Sequence, residues 1–524
     1  MQKNLVLAVV LSSAVYIFWY SYIEKRPMLN PASAPTAQSQ QSSPAASAAT
    51  ALTISGQSAV AAASGPLEAD WTKRSVELNL NKATYAFHPA GASIKSVVYQ
   101  GPVSPVELVK DPSPGFLSSF DDLTFTLKSK TNDSVTFEAR AANGVIILKK
   151  FTLNGEHKIN LLEITAVNPS AAPAVFAAWN IKLGPGLGTV KSEEKENPSL
   201  WKAQYTFQED GKKFPTIKTI KENQKAGPWI WAGVDNRYFL AAVMGGDLKR
   251  DVLNISQPEI DGKKAPLLSI PFEAELLAPR ETRVWRVEFY IGPKDYKLLQ
   301  TLGRGLDRSV DFGFFSPLAK IANSALDYFQ KLTGNYGVAI VIISVLLQIL
   351  IFPLSWKSYK AMAVMKKIQP EMQAIQARYK SDPKRMNTEV MELYKRHGTN
   401  PLGGCLPMLL QIPIFFALFT ALRNSWPLHG APFIFWIKDL SAKDPYYILP
   451  LVMGGIMFLQ QHLSPQTGGD KAQMAMMKWM PVVFTFMFLT FPSGLVLYWL
   501  INSIWGFAQT MILQKQQALK DKGY

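Results

Sequence analysis

The chain has 524 residues, 48% of them hydrophobic, with one cysteine and a formal net charge of +16. This hydrophobic fraction excludes a disordered or collagen-like chain, and a single cysteine excludes a disulfide framework or a multi-cysteine metal site. The five histidines lack the ligand spacing of a zinc site, so we do not predict a zinc enzyme.

The first predicted element is an uncharged, mostly apolar run at residues 5–22, which ends in a cluster of aromatic residues. Its length can cross a bilayer core, and the aromatic residues suit the membrane interface. The alternative is a cleaved signal peptide, but Glu24-Lys25-Arg26-Pro27 follows where a small-residue cleavage site is expected. We interpret residues 1–23 as a signal-anchor span and the Ala/Ser/Pro/Gln-rich residues 24–69 as a flexible linker.

Residues 70–311 change to the alternation of apolar and polar residues that is typical of strands. Asn-Gly or Asp-Gly pairs predict turns at 143–144, 154–155, 210–211 and 261–262. We predict one large β-sandwich. Because its histidines form no Ser-His-Asp pattern, we expect this domain to bind or scaffold rather than to catalyse.

An amphipathic helix is predicted within residues 312–335, and we interpret it as lying flat on the membrane surface. The alternative is an ordinary helix of the preceding domain. The predicted apolar face consists of Leu318, Ile321, Ala322, Ala325, Leu326, Phe329 and Leu332.

The rest of the chain is predicted to be a membrane domain with five spans. Residues 479–513 form a run of 35 residues without Asp, Glu, Lys or Arg, far too long for one crossing. Pro492-Ser493-Gly494 divides it into two spans joined by a tight turn. With the anchor, the chain has six spans, the last five being 336–354, 402–422, 446–463, 476–491 and 494–513.

The distribution of Lys and Arg predicts the orientation. The segment 355–401 holds ten basic residues against four acidic ones, so we place it in the cytoplasm. Because successive spans cross in opposite directions, loop 464–475, the tail 514–524 and both termini then lie on the cytoplasmic side of a bacterial inner membrane. The β domain and loop 423–445 become periplasmic. Lys25 and Arg26 follow the first span and so lie on the predicted periplasmic side, against the charge rule. Long domains, however, cross the membrane largely regardless of charge.

The basic segment 355–401 has a helical pattern, broken at Ser381-Asp382-Pro383. It predicts an antiparallel helical hairpin with basic outer faces; the alternative is a solvated loop that only follows the charge rule. The predicted apolar stripes consist of Met362, Met365, Ile368, Met372 and Ile375 on the first helix, and of Val390, Leu393 and Tyr394 on the second.

Three long motifs carry a resemblance to a known family: Asn400-Pro401-Leu402-Gly403-Gly404-Cys405-Leu406-Pro407 with Gln411-Ile412-Pro413-Ile414-Phe415, then Asp444-Pro445-Tyr446-Tyr447-Ile448-Leu449-Pro450, and Phe491-Pro492-Ser493-Gly494-Leu495-Val496-Leu497-Tyr498. With the anchor, the large β domain and the basic hairpin, they resemble the YidC family of membrane protein insertases of Gram-negative bacteria, in the YidC/Oxa/Alb superfamily. The resemblance is strong over residues 315–515 and architectural before them.

The resemblance implies an α-helical polytopic membrane protein with a five-helix insertase core and a periplasmic all-β supersandwich domain. It also implies a membrane insertase and chaperone, not an enzyme, that inserts inner-membrane proteins and helps them fold. The implied partners are nascent membrane proteins, the Sec translocon, the ribosome as a transient partner, and membrane lipids, with no specific nucleic acid sequence. The family's reaction uses no nucleotide or metal, so the resemblance implies no cofactor and no metal site.

Polar side chains within the spans are costly towards lipid, so we expect them to line a hydrophilic groove open to cytoplasm and lipid. The alternative is that they are interhelical hydrogen-bond pairs that only hold the bundle together. The candidate groove residues are Ser344, Gln348, Gln411, Thr420, Asn502 and Ser503. Candidates for contact with a client helix are Leu409, Leu410, Ile412, Phe415, Met487 and Trp499. Candidates for client or ribosome contact in the cytoplasm are Lys357, Lys366, Lys367, Lys384 and Arg385.

One position departs from the family pattern. The family usually has an arginine at the position of Gln348, and apart from Lys478 no Asp, Glu, Lys or Arg lies inside a predicted span. We therefore hypothesise that hydration and membrane thinning, not a fixed charge, carry the mechanism. A transporter would predict internal repeats or mid-membrane charges, which are not found. A membrane-anchored sugar-binding protein or enzyme would depend on the β domain, whereas an insertase core should survive deletion of residues 66–300.

Overall fold

The computed structural model describes residues 74–111, 113–155, 158–221, 224–225, 228–244, 252–399, 406–463 and 471–521. The predicted anchor 1–23 and linker 24–69 lie outside these residues. The described residues belong to one unit, Ala62–Tyr524, in which an antiparallel β domain precedes a set of helices.

The strands of the β domain are short and joined mostly by turns. They are β1 (Val76–Asn79), β2 (Ala83–His88), β3 (Ser93–Gln100), β4 (Pro105–Glu107), β5 (Thr126–Lys130), β6 (Ser134–Arg140), β7 (Ile146–Thr152), β8 (Asn160–Val167), β9 (Ala174–Phe176), β10 (Trp179–Leu183), β11 (Lys202–Phe207), β12 (Thr216–Thr219), β13 (Gln224–Lys225), β14 (Trp229–Asp235), β15 (Phe239–Met244), β16 (Val252–Ser256), β17 (Glu259–Ile260), β18 (Lys263–Lys264), β19 (Leu267–Phe272), β20 (Glu275–Leu277) and β21 (Thr282–Pro293).

Three sheets supply the core of this domain. A nine-stranded sheet runs in the order β12-β11-β14-β15-β21-β8-β7-β6-β5, and two four-stranded sheets run β1-β2-β3-β4 and β10-β19-β16-β13. Alternate residues of β8 are buried, as the period of a half-buried strand requires. The Phe87 and Phe151 rings, from different sheets, lie 4.8 Å apart in the shared core. The predicted β-sandwich is confirmed.

The predicted turns also lie where strands reverse. Asn143-Gly144 joins β6 to β7 and Asp261-Gly262 joins β17 to β18. Gly144 has φ +85°, a conformation that glycine adopts without the steric cost of a Cβ. The Asn-Gly and Asp-Gly signals therefore mark reversals because these residues tolerate left-handed backbone.

One short helix, α1 (Asn197–Leu200), lies within the β domain, and helices dominate after β21. The later helices are α2 (Tyr296–Leu302), α3 (Ser316–Thr333), α4 (Tyr336–Arg378), α5 (Pro383–Arg396), α6 (Leu406–Arg423), α7 (Ile448–Leu463), α8 (Lys471–Phe488) and α9 (Ser493–Asp521). The helical core buries apolar residues of α3, α4, α6, α7, α8 and α9 together.

Helix α4 crosses the predicted boundary between the span 336–354 and the basic hairpin 355–401. It is one helix of 43 residues that continues through Pro353 and Pro370. A proline removes one backbone donor, but the strong helix formers around Pro370 and the apolar run before Pro353 favour continuation. The boundary at 354/355 was drawn from the charge pattern, and the backbone of α4 continues across it.

The ends of the last two helices also differ from the predicted spans. Helix α8 begins at Lys471 rather than 476, and α9 continues to Asp521 rather than ending at 513. The added residues of α9 are mainly Gln, Lys, Ala and Leu, which favour helix in water as well as in lipid. The predicted tight turn at Pro492-Ser493-Gly494 lies where α8 gives way to α9.

The predicted apolar face of α3 divides into two. Leu326 is buried against the helical core, whereas Leu318, Ile321 and Leu332 are exposed. Asp327 lies on the buried side of α3 beside Leu326, with its carboxylate 3.0 Å from Lys297 Nζ at the start of α2. Burial raises the pKa of Asp327, although Lys297 opposes the shift. The outward apolar face is therefore narrower than predicted.

Helices α4 and α5 pack through the predicted stripes. Met365, Ile368 and Met372 are buried against Leu393 and Tyr394, and the Tyr394 hydroxyl lies 3.2 Å from Met372 Sδ. The Asp382 side chain accepts from the Arg385 amide and so begins α5. The methionines therefore form the internal contact between these helices rather than an open binding face.

Candidate functional site

Polar side chains from three helices meet inside the helical core. Gln348 of α4 donates from Nε2 to Asn502 Oδ1 of α9 at 2.7 Å. Gln411 of α6 donates from Nε2 to the hydroxyl of Tyr498, one turn earlier on α9. Helix α9 is therefore bonded to α4 and α6 at adjacent levels of the bundle.

These contacts begin a polar stripe along α9. Tyr498, Asn502, Trp505 and Gln509 are spaced by four, three and four residues, which places them on one helix face about 16 Å long. Asn502 Nδ2, Trp505 Nε1 and Gln509 Nε2 are buried and have no hydrogen-bond partner among the described residues. All three atoms are N–H donors, so the stripe holds three donors without acceptors among the described residues.

This stripe has an energetic consequence. A buried donor left unsatisfied costs about 1–3 kcal/mol, so native proteins retain few of them. Three such donors lie on one helix face of α9, which makes this face the candidate site. Sequence reasoning did not include Trp505, and it named Gln509 only among the polar residues of the spans that should face each other or a wet cavity. Their signal was the helical spacing from Tyr498 and Asn502.

The remaining groove candidates have other surroundings. Ser344 donates to the Ile340 carbonyl at 2.7 Å, and Ser503 donates to the Trp499 carbonyl at 2.9 Å. Both hydroxyls are thus satisfied within their own helices. Thr420 lies 3.0 Å from the Phe312 carbonyl, in the segment between the β domain and α3. Thr420 is not part of the cluster that contains Gln348 and Asn502.

The six candidates for client-helix contact divide into two groups. Leu409 and Leu410 are exposed at the start of α6. Phe415 and Trp499 pack edge to face at 5.1 Å, and Trp499 also contacts Phe488. Ile412 and Met487 are half-buried. Leu409 and Leu410 are therefore the open apolar surface, and the others brace the bundle.

The basic candidates lie on α4 and α5. Lys357, Lys367, Lys384 and Arg385 are exposed, and Arg385 lies 5.3 Å from the centre of the Tyr379 ring. The side chain of Lys366 lies outside the described residues. The exposed cations form an accessible basic surface on the pair of helices.

The loop 424–447, between α6 and α7, joins the β domain to the helices. Trp426 is buried against Phe239 at 4.9 Å and Tyr99 at 5.8 Å. Burial lowers the pKa of His429, whose Nδ1 lies 3.2 Å from Ser441 Oγ. The later part of the loop pairs with the α8–α9 turn, where the Gly494 amide donates to the Leu440 carbonyl at 2.9 Å.

The apolar helices differ in length. Among the described residues, Tyr336–Met365 and Ser493–Gln516 are long and apolar enough to cross a membrane. Leu409–Arg423, Ile448–Leu463 and Lys478–Phe488 are apolar but shorter. The polar cluster therefore lies among apolar helices, some of which are short for a bilayer core of about 30 Å.

Comparison with known proteins places both parts of the chain. Residues 328–521 match the family described as 60Kd inner membrane protein, and residues 106–322 match the family described as YidC periplasmic domain. A membrane protein insertase YidC from Endomicrobium trichonymphae is 42% identical over 430 residues, 80% of each chain. One from Citrifermentans bemidjiense is 35% identical over 99% of this chain and 100% of its own. A solved active YidC insertase overlaps 83% of this chain and 92% of its own, at 16% identity and a TM-score of 0.37.

Proposed function

This chain belongs to the YidC family of membrane protein insertases, and from that premise we propose that the polar face shared by α4, α6 and α9 is its client groove. Its relatives are named as insertases rather than enzymes, and we assign no catalytic residue. The observation that carries the proposal is the stripe of buried donors on α9: Asn502, Trp505 and Gln509. The groove accepts the polar segment of a client while the client's apolar helix passes into lipid.

The groove lowers the cost of moving a polar segment through the membrane. An unpaired peptide group transferred to an apolar environment costs roughly 2–7 kcal/mol. Donors already held in place on α9 offer a client carbonyl or side-chain oxygen a partner before it leaves the groove. The Gln348–Asn502 bond holds the Asn502 side chain between α4 and α9.

The groove works without a fixed charge. Gln348 supplies a neutral amide at the position where the family usually has an arginine. Lys357 is exposed and lies about 13 Å further along α4, and we propose that it lies at the cytoplasmic mouth of the groove. We propose that neutral donors and hydration, rather than attraction to a buried cation, admit the client.

The short apolar helices support membrane thinning as a second part of this mechanism. Helix α7 has 16 residues, about 24 Å of helix, against a bilayer core of about 30 Å. Short spans thin the surrounding bilayer and shorten the path across it. We propose six spans in the inner membrane, with the β domain and loop 424–447 in the periplasm and both termini in the cytoplasm. Leu409 and Leu410 hold the client helix at the lipid edge, and the Sec translocon is a partner for larger clients.

Crosslinking from the groove tests the proposal. A photoreactive residue at position 348 is expected to crosslink the polar tail of a nascent client, because Gln348 faces Asn502. Leu350 is the matched control, since it is two residues away on α4 and 74% exposed. We expect position 350 to crosslink lipid and not the tail. Equal crosslinking of the tail from both positions would contradict the groove.

The basic surface of α4 and α5 is proposed to contact the ribosome or the client in the cytoplasm. Reversing Lys384 and Arg385 to glutamate is expected to weaken ribosome binding about fivefold, the effect of roughly 1 kcal/mol from two exposed charges. Cosedimentation with ribosomes measures the binding, and an insertion assay measures its consequence. Reversing the exposed Lys263 and Lys264 of the β domain is the control. Unchanged binding and insertion in the α5 variant would remove this role.

A further inference from the structure

An exposed aromatic turn projects from loop 424–447 at residues 432–436. Phe435 is 77% exposed and Ile434 is 48% exposed, so two large apolar side chains point away from the protein. Phe435 has φ +52°, in the left-handed region that bulky residues rarely adopt. This conformation persists only where the surrounding structure holds it.

The surrounding structure holds the turn from both sides. The Asp444 carboxylate, 1% exposed, accepts from Trp436 Nε1 at 3.1 Å and from the Leu449 amide at 2.7 Å. The Phe435 and Trp436 rings stack with their centres 6.0 Å apart. On the other side, Asn335 donates from Nδ2 to the Phe433 carbonyl at 3.1 Å. The turn is thus fixed to the first residues of α4 and α7.

The exposed surface beside the turn indicates what it contacts. Tyr446 is 66% exposed, and the apolar exposure continues onto α7 at Leu451 and Val452. Lys438 is exposed after the turn, and Lys443 bonds to the Tyr447 hydroxyl at 3.2 Å. Aromatic residues with nearby lysines are typical of the boundary between acyl chains and phosphate headgroups. A protein partner would not require that the patch continue onto a span.

We propose that the turn at residues 432–436 inserts into the membrane as a fixed wedge, with Phe435 and Ile434 at the headgroup–acyl boundary. Lys438 and Lys443 bind the phosphates of the phospholipids around it. The wedge rests on the proposed function, because that function places α4 and α7 across the bilayer with these ends towards the periplasm. It fixes the depth of α4, and therefore of Gln348, in the membrane.

Lipid quenching of site-specific labels tests the wedge in the full-length protein. Cys405→Ser removes the native thiol, and Phe435→Cys, Leu451→Cys and Lys264→Cys each introduce one label site. Each variant carries an environment-sensitive fluorophore in vesicles of phosphatidylethanolamine and phosphatidylglycerol with a nitroxide near the start of the acyl chain. We expect quenching at position 435 to be similar to that at 451 and at least threefold stronger than at the exposed Lys264 site on the β domain.

The controls separate two failures. Quenching at 451 but not at 435 would overturn the wedge and leave the spans intact. Absence of quenching at both positions would overturn the spans themselves. A position 435 that is unquenched and crosslinks to a protein instead would assign the turn to a protein partner and reject the lipid contact.

Discussion

Replacing Asn502 with leucine is expected to slow the insertion of a client with a polar translocated tail by roughly 5- to 150-fold. The substitution removes one buried donor of the groove and leaves Gln348 of α4 without the acceptor at 2.7 Å. A client group that loses its partner during passage adds about 1–3 kcal/mol to the barrier, which gives that range of rates. Protease protection of the tail in proteoliposomes measures the rate.

The neighbouring serine provides the control for this prediction. Ser503→Ala removes a hydroxyl that bonds only to the Trp499 carbonyl of its own helix, so we expect little change in rate. A client without a polar tail should insert at nearly the same rate in wild type and in Asn502→Leu. Equal slowing of both clients would show that the substitution damages the bundle and not the groove.

Replacing Trp426 with alanine is expected to lower the free energy of unfolding of the full chain by about 3–5 kcal/mol, the usual cost of removing a buried tryptophan. Trp426 is 8% exposed and packs with Tyr99, Tyr238 and Phe239 of the β domain. Its loss leaves a cavity between that domain and loop 424–447. Denaturant unfolding in detergent, with protease cleavage of the loop as a second probe, measures the effect.

A surface leucine of the β domain provides the comparison. Leu276 is 69% exposed, and Leu276→Ala should change stability by less than about 0.5 kcal/mol. Similar stability of both variants would mean that the Trp426 contact does not hold the two parts together. The deletion of residues 66–300, which tests whether the helical core works alone, would expose Trp426. The deletion is therefore best combined with Trp426→Gln, which removes the exposed aromatic surface.

Sequence periodicity predicted the parts of the fold that depend on local pattern. Alternation predicted the β-sandwich, and the Asn-Gly and Asp-Gly pairs predicted its turns because their chemistry favours left-handed backbone. The stripes of Met372 and Leu393 predicted which faces of α4 and α5 meet. Each of these features is determined within a few neighbouring residues.

Features that depend on distant partners were not predictable in the same way. Asp327 is buried on α3 with Lys297 of another helix 3.0 Å away, a pairing that the pattern of α3 alone does not show. Thr420 bonded to the Phe312 carbonyl, more than a hundred residues earlier in the chain. Gln348 was predicted as a groove residue, but its partner Asn502 follows from the packing of α4 against α9. Polar residues in the predicted spans indicate that a polar site exists, but only the tertiary structure shows which of these residues contact one another.

The unbroken course of α4 makes it a mechanical link. Met372, in the contact with α5, and Gln348, in the groove, are 24 residues apart on one helix, a separation of about 36 Å. Pro353 and Pro370 lie between these two residues, yet α4 remains one helix, and we propose that it carries a movement of α5 to the groove end. On this proposal, the docking of a ribosome or client against α5 strains the Gln348–Asn502 bond and opens the proposed groove before the client enters it.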